Sequence, residues 1–315
     1  MGARAFRPML LLVAFLAAVA AVPIMGAANP VKPPVPAKPI HAKAPAVKTK
    51  TVPGKTATRK DAKDSAASKQ VSATAVDSAA KADSIPKPLR DLGQKALKVP
   101  EKLLFDIIWG GWGFRWITAG QATLELLPTE KPDAWKIQSL AWCNGFFQSI
   151  YPVRDTVVSV IDSRGIYPTR FEKRLHEGKY NADISASYDQ AKHILKTQDT
   201  TLSIDPFTHD VLSAFYFIRT QTLKVGDTLD LAAVSGKKKY NLKVLCHARE
   251  TIKVAAGEFH TLVVEPVLKE DGLFKAKGKL TIWVTDDPAH TPVKMESKIP
   301  VGSIKAELVR MTVAP

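Results

Sequence analysis

This sequence contains few cysteines, few long apolar runs and few aromatic residues near its N-terminus. Two cysteines in 315 residues exclude a disulfide-stapled scaffold and a module with several zinc sites. Beyond the N-terminus there is no run of about 18 apolar residues, which excludes a polytopic helical membrane protein. Residues 29–90 contain no Phe, Trp or Tyr. This segment therefore cannot bury enough apolar surface to offset the entropy of ordering it.

The first 28 residues contain the three parts of an export signal. Arg4 and Arg7 form a positive region, residues 9–22 are apolar, and the small residues at 26–28 fit a cleavage site. We therefore predict a signal peptide, a mature chain beginning near Asn29 and export into a Gram-negative-type periplasm. An uncleaved anchor is the alternative, but about 14 apolar residues are short for a bilayer span. No cysteine follows that could be acylated, so we expect a soluble mature protein.

A Pro/Ala/Lys-rich linker is predicted over residues 29–98. Residues 29–90 hold nine Pro, and 11 Lys and 2 Arg against 4 Asp, so most of the net charge of +15 lies there. We interpret the segment as a disordered spacer. Its lysines either contact an anionic envelope surface or only keep the linker soluble. Because they are not interleaved with aromatic residues, and because the chain carries an export signal, we do not expect a nucleic-acid partner.

From residue 99 to 315 the pattern changes to that of an antiparallel β domain. All six Trp and all six Tyr follow Pro100. Apolar and polar residues alternate with a period of two, as in residues 134–144, and turn signals separate the alternating segments. Residues 207–221 instead fit one amphipathic helix. We expect a mainly β fold, a single large antiparallel curved sheet or open barrel with one main α-helix, preceded by a disordered tail.

Several segments of this domain, taken in order, resemble a known family. They are LLFDIIWGGWGFRWITAGQATLEL, IYPVRDTVVSVIDSRGIYPTRF, AAGEFHTLVVEPVL, GLFKAKGKLTIWVTDD and TPVKMESKIPVGSIKAEL, which together span about residues 101–311. This order is similar to that of the bacterial domain-of-unknown-function family 3108. The resemblance implies an exported envelope domain with an antiparallel, barrel-like sheet. It implies no established activity and no catalytic residue.

The densest group of candidate binding residues is CNGFFQSIYPVRD, residues 143–155. We interpret Phe146, Phe147 and Tyr151 as lining the mouth of an apolar cavity. Arg154 would meet an anionic head group, which predicts a lipid or another amphipathic ligand. In the alternative, the aromatic residues plug one end of the sheet, Arg154 forms an internal ion pair and no ligand binds. The protein would then be an envelope scaffolding protein with a solid β core and a basic tether.

Patterns of catalytic and metal-binding residues are missing from the sequence. The seven histidines never occur at H-E-x-x-H or another metal-ligand spacing, and no G-x-S-x-G elbow is present. Residues 110–114, GGWGF, lack the Lys-Ser/Thr of a phosphate loop and are typical of a hairpin turn. Ser203 and Ser213 lie near His209, which leaves an unrecognised hydrolase as a second alternative. We expect a non-catalytic protein without a metal or cofactor.

Cys143 and Cys246 are each expected on the inward face of a strand. In an oxidising periplasm they could form a disulfide, and closing a loop of about 100 residues would stabilise the fold by up to about 4.7 kcal/mol. Two buried free thiols are the alternative. His247 is expected on the opposite face from Cys246, so these residues do not predict a zinc site.

Overall fold

The computed structural model describes residues 89–111, 114–268, 280–298 and 302–314. The predicted signal peptide and most of the predicted linker lie outside the described residues. The helices within them are α1 (Gly145–Ile150) and α2 (Val211–Arg219), and neither is long and apolar enough to cross a membrane. The strands are β1 (Glu101–Gly111), β2 (Phe114–Pro128), β3 (Ala134–Cys143), β4 (Arg154–Asp162), β5 (Pro168–Glu177), β6 (Tyr180–Asp189), β7 (Ile194–Thr197), β8 (Thr201–Ser203), β9 (Thr228–Ser235), β10 (Lys238–Val254), β11 (Gly257–Leu268), β12 (Leu280–Thr285), β13 (Pro292–Lys298) and β14 (Ser303–Val313).

All of these strands belong to one antiparallel sheet. Its order is β8-β7-β6-β5-β4-β3-β2-β1-β14-β13-β12-β11-β10-β9. The chain runs from β1 in the middle outward to β8, crosses through α2 to the other edge at β9, and returns to β14 beside β1. Within the described residues no hydrogen-bonded pairing joins β8 to β9, so the sheet is open. The predicted mainly β fold with one large curved sheet and one main helix is confirmed.

Alternate side chains along the strands build one apolar core. On β1, Leu103, Phe105 and Ile107 are buried, and β14 contributes Ile304 and Leu308 in the same way. Since successive side chains of a strand point to opposite faces, this spacing directs one face of each strand inward. The inward residues of most strands join those of α2 in a single hydrophobic cluster.

The helix α2 is shorter than the predicted segment of residues 207–221. It spans Val211–Arg219, and seven of its nine residues are buried. The residues before it do not continue the helix because they run alongside β9, where His209 and Ala233 form an isolated parallel bridge. Phe207 has a φ of 55°, which interrupts helical geometry. The α2 segment therefore crosses between the two edges of the open sheet.

Residues 89–98 fall in the predicted linker but contact the β domain. The Arg90 guanidinium donates to the carbonyl of Gly165 from Nε at 2.9 Å and from Nη2 at 2.6 Å. The N–H of Leu92 donates to the carbonyl of Arg164 at 3.1 Å, and Leu97 is buried in the core. The packed part of the chain thus begins at least ten residues before the predicted boundary.

Candidate functional site

Asp210 caps the N-terminus of α2 and connects it to β4. Its Oδ1 accepts hydrogen bonds from the N–H groups of Leu212 at 2.8 Å and Ser213 at 3.0 Å. Its Oδ2 accepts one from the Ser159 hydroxyl at 2.6 Å. Burial raises the pKa of Asp210, and the hydrogen bonds from Ser159 and the two amides oppose that rise. An N-cap satisfies amides that lack a partner within the helix, so this residue holds α2 against the inner face of β4.

Arg219 connects the other end of α2 to β1. Its Nη1 and Nη2 donate to the two carboxylate oxygens of Glu101, each at 2.7 Å, and its Nε donates to the carbonyl of Ala289 at 3.1 Å. The Tyr216 hydroxyl also donates to Glu101, at 3.3 Å. Burial is the largest single influence and lowers the pKa of Arg219, but Glu101 and Tyr216 together raise it, so the net shift is upward. The guanidinium therefore stays charged and fully engaged inside the core.

The inner side of the sheet, where an open barrel would hold a ligand, is occupied by α2. Tyr216 is fully buried, and Leu212 and Phe215 pack in the same cluster as the inward residues of the strands. Protein interiors packed in this way contain few voids larger than a water molecule. The helix thus packs on the inner side of the sheet as part of the core.

A small pocket lies at the seam between β5–β7 and the edge strand β9. Its volume is about 40 Å³, close to the share of one water molecule and far below the roughly 300 Å³ at which ligand pockets begin. The residues that line it are mostly apolar: Phe171, Lys173, Ile184, Ala186, Tyr188, Leu195, Thr197, Val211, Val234, Ser235 and Gly236. In this structure the seam does not hold a ligand-sized space.

The four residues predicted to bind a ligand lie in two different environments. Phe147 and Tyr151 pack against the hydrophobic core, and the Tyr151 hydroxyl donates to the carbonyl of Glu177 at 2.9 Å. Burial, with Glu177 and Asp155 nearby, raises the pKa of Tyr151 to about 12. Phe146 is 74% exposed. Arg154 is also exposed and has no ion-pair partner among the described residues.

Beneath this segment the structure brings together three buried charged residues. Asp155 is 2% exposed, Glu177 5% and Lys173 6%. Burial first, and the Asp155 carboxyl second, raise the pKa of Glu177 to about 7. Burial also raises the pKa of Asp155, whereas it lowers that of Lys173. Sequence reasoning missed Lys173 and Glu177, although they alternate with Leu175 on the inward face of β5.

One oxygen of this cluster indicates where a proton is held. Asp155 Oδ1 accepts from the N–H of His176 at 2.9 Å, but buried Oδ2 has no donor among the described residues. The Glu177 carboxyl lies within hydrogen-bonding reach of Asp155. A protonated Glu177 would supply the missing donor, which agrees with its raised pKa.

The serine and histidine that suggested a hydrolase do meet, but inside the core. His209 Nδ1 lies 3.2 Å from Ser213 Oγ, and the Ser213 hydroxyl donates to the carbonyl of Asp210 at 3.1 Å. The ring nitrogen is then the donor to Ser213, so it does not act as a base. Burial, together with the Arg90 charge, lowers the pKa of His209 to about 3. Since His209 is 1% exposed and Ser213 0%, neither can reach a substrate.

Both cysteines are buried and free. Cys143 is 6% exposed and Cys246 4%, and β3 and β10 are separated by six other strands in the sheet. Cys143 Sγ donates to Gln148 Oε1 at 3.1 Å and accepts from the N–H of Val153 at 3.2 Å. The disulfide considered from the sequence is not formed. In the described ranges, no group of three or more His, Cys, Asp or Glu could hold a metal ion.

These features define a class of protein: an open antiparallel sheet curved around one buried helix that is fixed at both ends. The chain belongs to the family described as protein of unknown function DUF3108, whose model matches residues 104–309. No curated protein matches the sequence.

Solved structures match the chain at low sequence identity. A β-barrel-like protein of the domain of unknown function DUF1849 from Brucella abortus is 11% identical, with a TM-score of 0.52 over 70% of this chain and 100% of that one. A Bacteroides fragilis protein with a YmcC-like fold is 12% identical, with a TM-score of 0.26 over 69% and 99% of the two chains. At these identities the likeness to the Brucella protein bears on the fold alone.

Proposed function

We propose that this is an exported, non-catalytic cell-envelope protein that acts through its surface and has a solid β core. The observation that carries the proposal is the position of α2. Its buried residues, capped by Asp210 and anchored through Arg219 to Glu101, take the place that a ligand would need. A protein that has no interior binding space contacts its partners through its outer face, its strand ends or its tail.

The sequence supports the cellular location and the role of the tail. The first 28 residues have the order of an export signal, and the following segment carries most of the positive charge. We propose that the mature protein is periplasmic and that the basic linker is a tether toward an anionic envelope surface. In periplasmic extracts, mass spectrometry should find a mature N-terminus near Asn29. A chain that keeps Met1 and stays in the cytosol would contradict this location.

Binding of an amphipathic ligand remains the competing function, and the seam pocket favours it. The pocket is lined mainly by apolar side chains and lies where β7 and β9 approach without pairing, so opening of the seam would enlarge it. The two functions are distinguished by whether the native protein carries a bound lipid.

Native mass spectrometry of the protein purified from a membrane-containing lysate tests the proposal. We expect the mass of the mature chain alone. A stoichiometric lipid adduct would overturn the proposal if it is lost in Ala186→Phe, which fills the pocket, and kept in Phe146→Ala, which lies outside it. Circular dichroism and thermal unfolding of both variants verify that the fold is intact.

A further inference from the structure

The exposed apolar side chains of the described residues are concentrated at one end of the sheet. Eight large hydrophobic side chains of the described residues are exposed, and five of them lie at the end of the sheet where β2, β4 and β6 begin. We call this group the aromatic rim: Trp116, Ile117, Phe146, Ile150 and Tyr180, whose exposures run from 39% to 74%. Clustered exposed apolar residues mark interaction sites more often than scattered ones do.

Backbone hydrogen bonds show that the segments of the aromatic rim are neighbours. The N–H of Asn144 donates to the carbonyl of Ala119 at 3.2 Å, which places α1 beside the first residues of β2. The N–H of Gly178 donates to the carbonyl of Pro152 at 2.8 Å, which places the β5–β6 turn, and with it Tyr180, beside the residues that follow α1. The segments that carry the rim are therefore neighbours at one end of the sheet.

The register of β2 explains why its part of the rim is uncovered. β3 pairs with β2 only as far as Gly120, opposite Cys143. Trp116 and Ile117 precede this point, so no β3 residue lies beside them. Adjacent side chains of a strand point to opposite faces of the sheet, and here the side chains on both faces are exposed.

Four cations surround the apolar residues of the rim. Lys305 Nζ lies 3.5 Å from the centroid of the Trp116 ring. Arg154 opens β4, Lys179 lies in the β5–β6 turn and Lys298 ends β13, and all three are exposed. Within the part of the chain that the structure describes, none of these three has an ion-pair partner.

The carboxylates at this end do not cancel that charge at the surface. Asp155 and Glu177 are buried beneath the rim. Asp183, on β6, is exposed and has Arg174 Nε at 4.0 Å, and partly exposed Glu296, on β13, lies opposite Lys305 in the sheet. The four cations of the rim outnumber these two carboxylates. The outward charge of the rim is therefore positive, which is complementary to an anionic partner.

We propose that the aromatic rim docks on the surface of an anionic lipid bilayer. Trp and Tyr rings are suited to the head-group zone because one part of the ring system is apolar and another is polar, and Phe146 and Ile150 would reach the acyl chains. Lysine and arginine beside them would contact lipid phosphates. The cores of protein interfaces are depleted in lysine, so this composition fits a membrane better. The inference rests on the surface-acting function proposed above and names its partner.

The first described residues, 89–98, attach to the domain at the end opposite to the rim. The first described residues bind the turn after β4, where the N–H of Leu92 donates to the carbonyl of Arg164 at 3.1 Å. The rim includes the other end of this strand, and its nine residues span about 26 Å at about 3.3 Å per residue. The rim and the attachment of residues 89–98 therefore lie at different ends of β4.

Vesicle co-sedimentation of the full mature chain tests the docking. Vesicles of phosphatidylglycerol and phosphatidylethanolamine are compared with phosphatidylcholine vesicles, at low and at raised ionic strength, because salt screens the linker lysines. We expect Phe146→Asp combined with Ile150→Asp to weaken binding to the anionic vesicles at least about tenfold at raised salt. Met311→Asp, at an exposed residue of the opposite end, is the matched control and should bind like the wild type.

A second readout follows the rim directly. Tryptophan emission should shift to the blue on addition of anionic vesicles, and Trp116→Phe should reduce this shift. Absence of vesicle binding, or equal binding by the double variant, would overturn the rim proposal and leave the solid-core function standing. A stoichiometric lipid adduct in native mass spectrometry would instead overturn the proposed function. Rim-dependent capture of an envelope protein without vesicle binding would also overturn the bilayer as partner.

Discussion

Arg219 and Glu101 form a bidentate ion pair in the core, 118 residues apart in the sequence. Both donor–acceptor distances are 2.7 Å, and the side chains are 1% and 3% exposed. The pair joins the last residue of α2 to the first residue of β1. Since Asp210 binds β4 at the other end of the helix, α2 is held in one orientation inside the sheet.

Loss of the Glu101 charge should be strongly destabilising. Glu101→Gln leaves the Arg219 charge buried without a counter-ion, and we expect a loss of about 3–5 kcal/mol in the free energy of unfolding. The double variant Glu101→Leu with Arg219→Met should regain at least half of this loss, because no unpaired charge remains. Urea unfolding followed by circular dichroism measures both.

An exposed ion pair supplies the control for this experiment. Lys243 Nζ and Asp230 Oδ1 lie 2.8 Å apart, and the two side chains are 34% and 46% exposed. Lys243→Ala should change the free energy of unfolding by less than about 1 kcal/mol, since solvent screens such pairs. An equal loss in Lys243→Ala and Glu101→Gln would contradict the special weight of the buried Arg219 pair.

The N-cap of α2 should contribute measurably to stability. Asp210→Ala removes the acceptor for two helix amides and leaves the Ser159 hydroxyl unpaired, so we expect a loss of about 2 kcal/mol. Asn144, the N-cap of α1, makes no side-chain capping bond, and Asn144→Ala should cost less than about 0.5 kcal/mol. Chemical denaturation of the two variants tests the contrast, and equal losses would contradict it.

The pH dependence of stability should reveal the proton on Glu177. The pKa of this carboxyl is about 7 in the folded protein, above its ordinary value of 4.5. The folded state therefore binds the proton more tightly, and the stability that it contributes is lost as pH rises through 7. Glu177→Gln mimics the protonated form and can donate to Asp155. Relative to wild type, the variant should gain up to about 3 kcal/mol between pH 4.5 and 7.

The difference between the two proteins is the quantity to measure, because His209 acts in the opposite direction. Its pKa is lowered to about 3, so stability is lost as pH falls below about 6.5. This contribution is common to wild type and Glu177→Gln and cancels in the comparison. A difference that stays constant with pH would contradict the assignment of the proton to Glu177.

The two thiols should be unreactive in the native protein. Burial raises the pKa of both Cys143 and Cys246, which reduces the thiolate fraction as well as access. With an aromatic disulfide reagent at mildly alkaline pH, the native protein should react only as fast as it unfolds. The denatured, unreduced protein should release two thiols, and Cys143→Ala one. No free thiol after denaturation would show that the exported protein forms the disulfide.

Local patterns indicate a strand most clearly where apolar and polar residues alternate without interruption. This alternation is visible in β1, β3 and β14, whose alternate positions are apolar and face one core. β5, PTRFEKRLHE, does not show it, since its inward positions include Lys173 and Glu177. Charged residues at a buried face do not differ, in sequence, from charged residues in a loop. Their burial depends on Asp155 of the neighbouring strand, which pattern reading does not detect.

The candidate site was located only in part for a related reason. The segment of residues 143–155 was singled out by its aromatic density, and the structure places it at the end of the sheet with Phe146 and Arg154 outward. Whether an aromatic residue faces a cavity, a core or solvent is decided by the elements packed against it. Trp116 belongs to the same surface, but its sequence neighbours gave no indication of this.

The sequence by itself determined the mainly β class, the single main helix and the family of this protein. The first two follow from side-chain periodicity and turn residues, which are properties of adjacent positions. The family follows from the ordered segments that resemble it. Only the tertiary structure decided that the helix fills the sheet, because that depends on Glu101, Ser159 and Arg219 meeting across long sequence separations. A buried charge is tolerated only beside its partner, and partners this distant are brought together by folding.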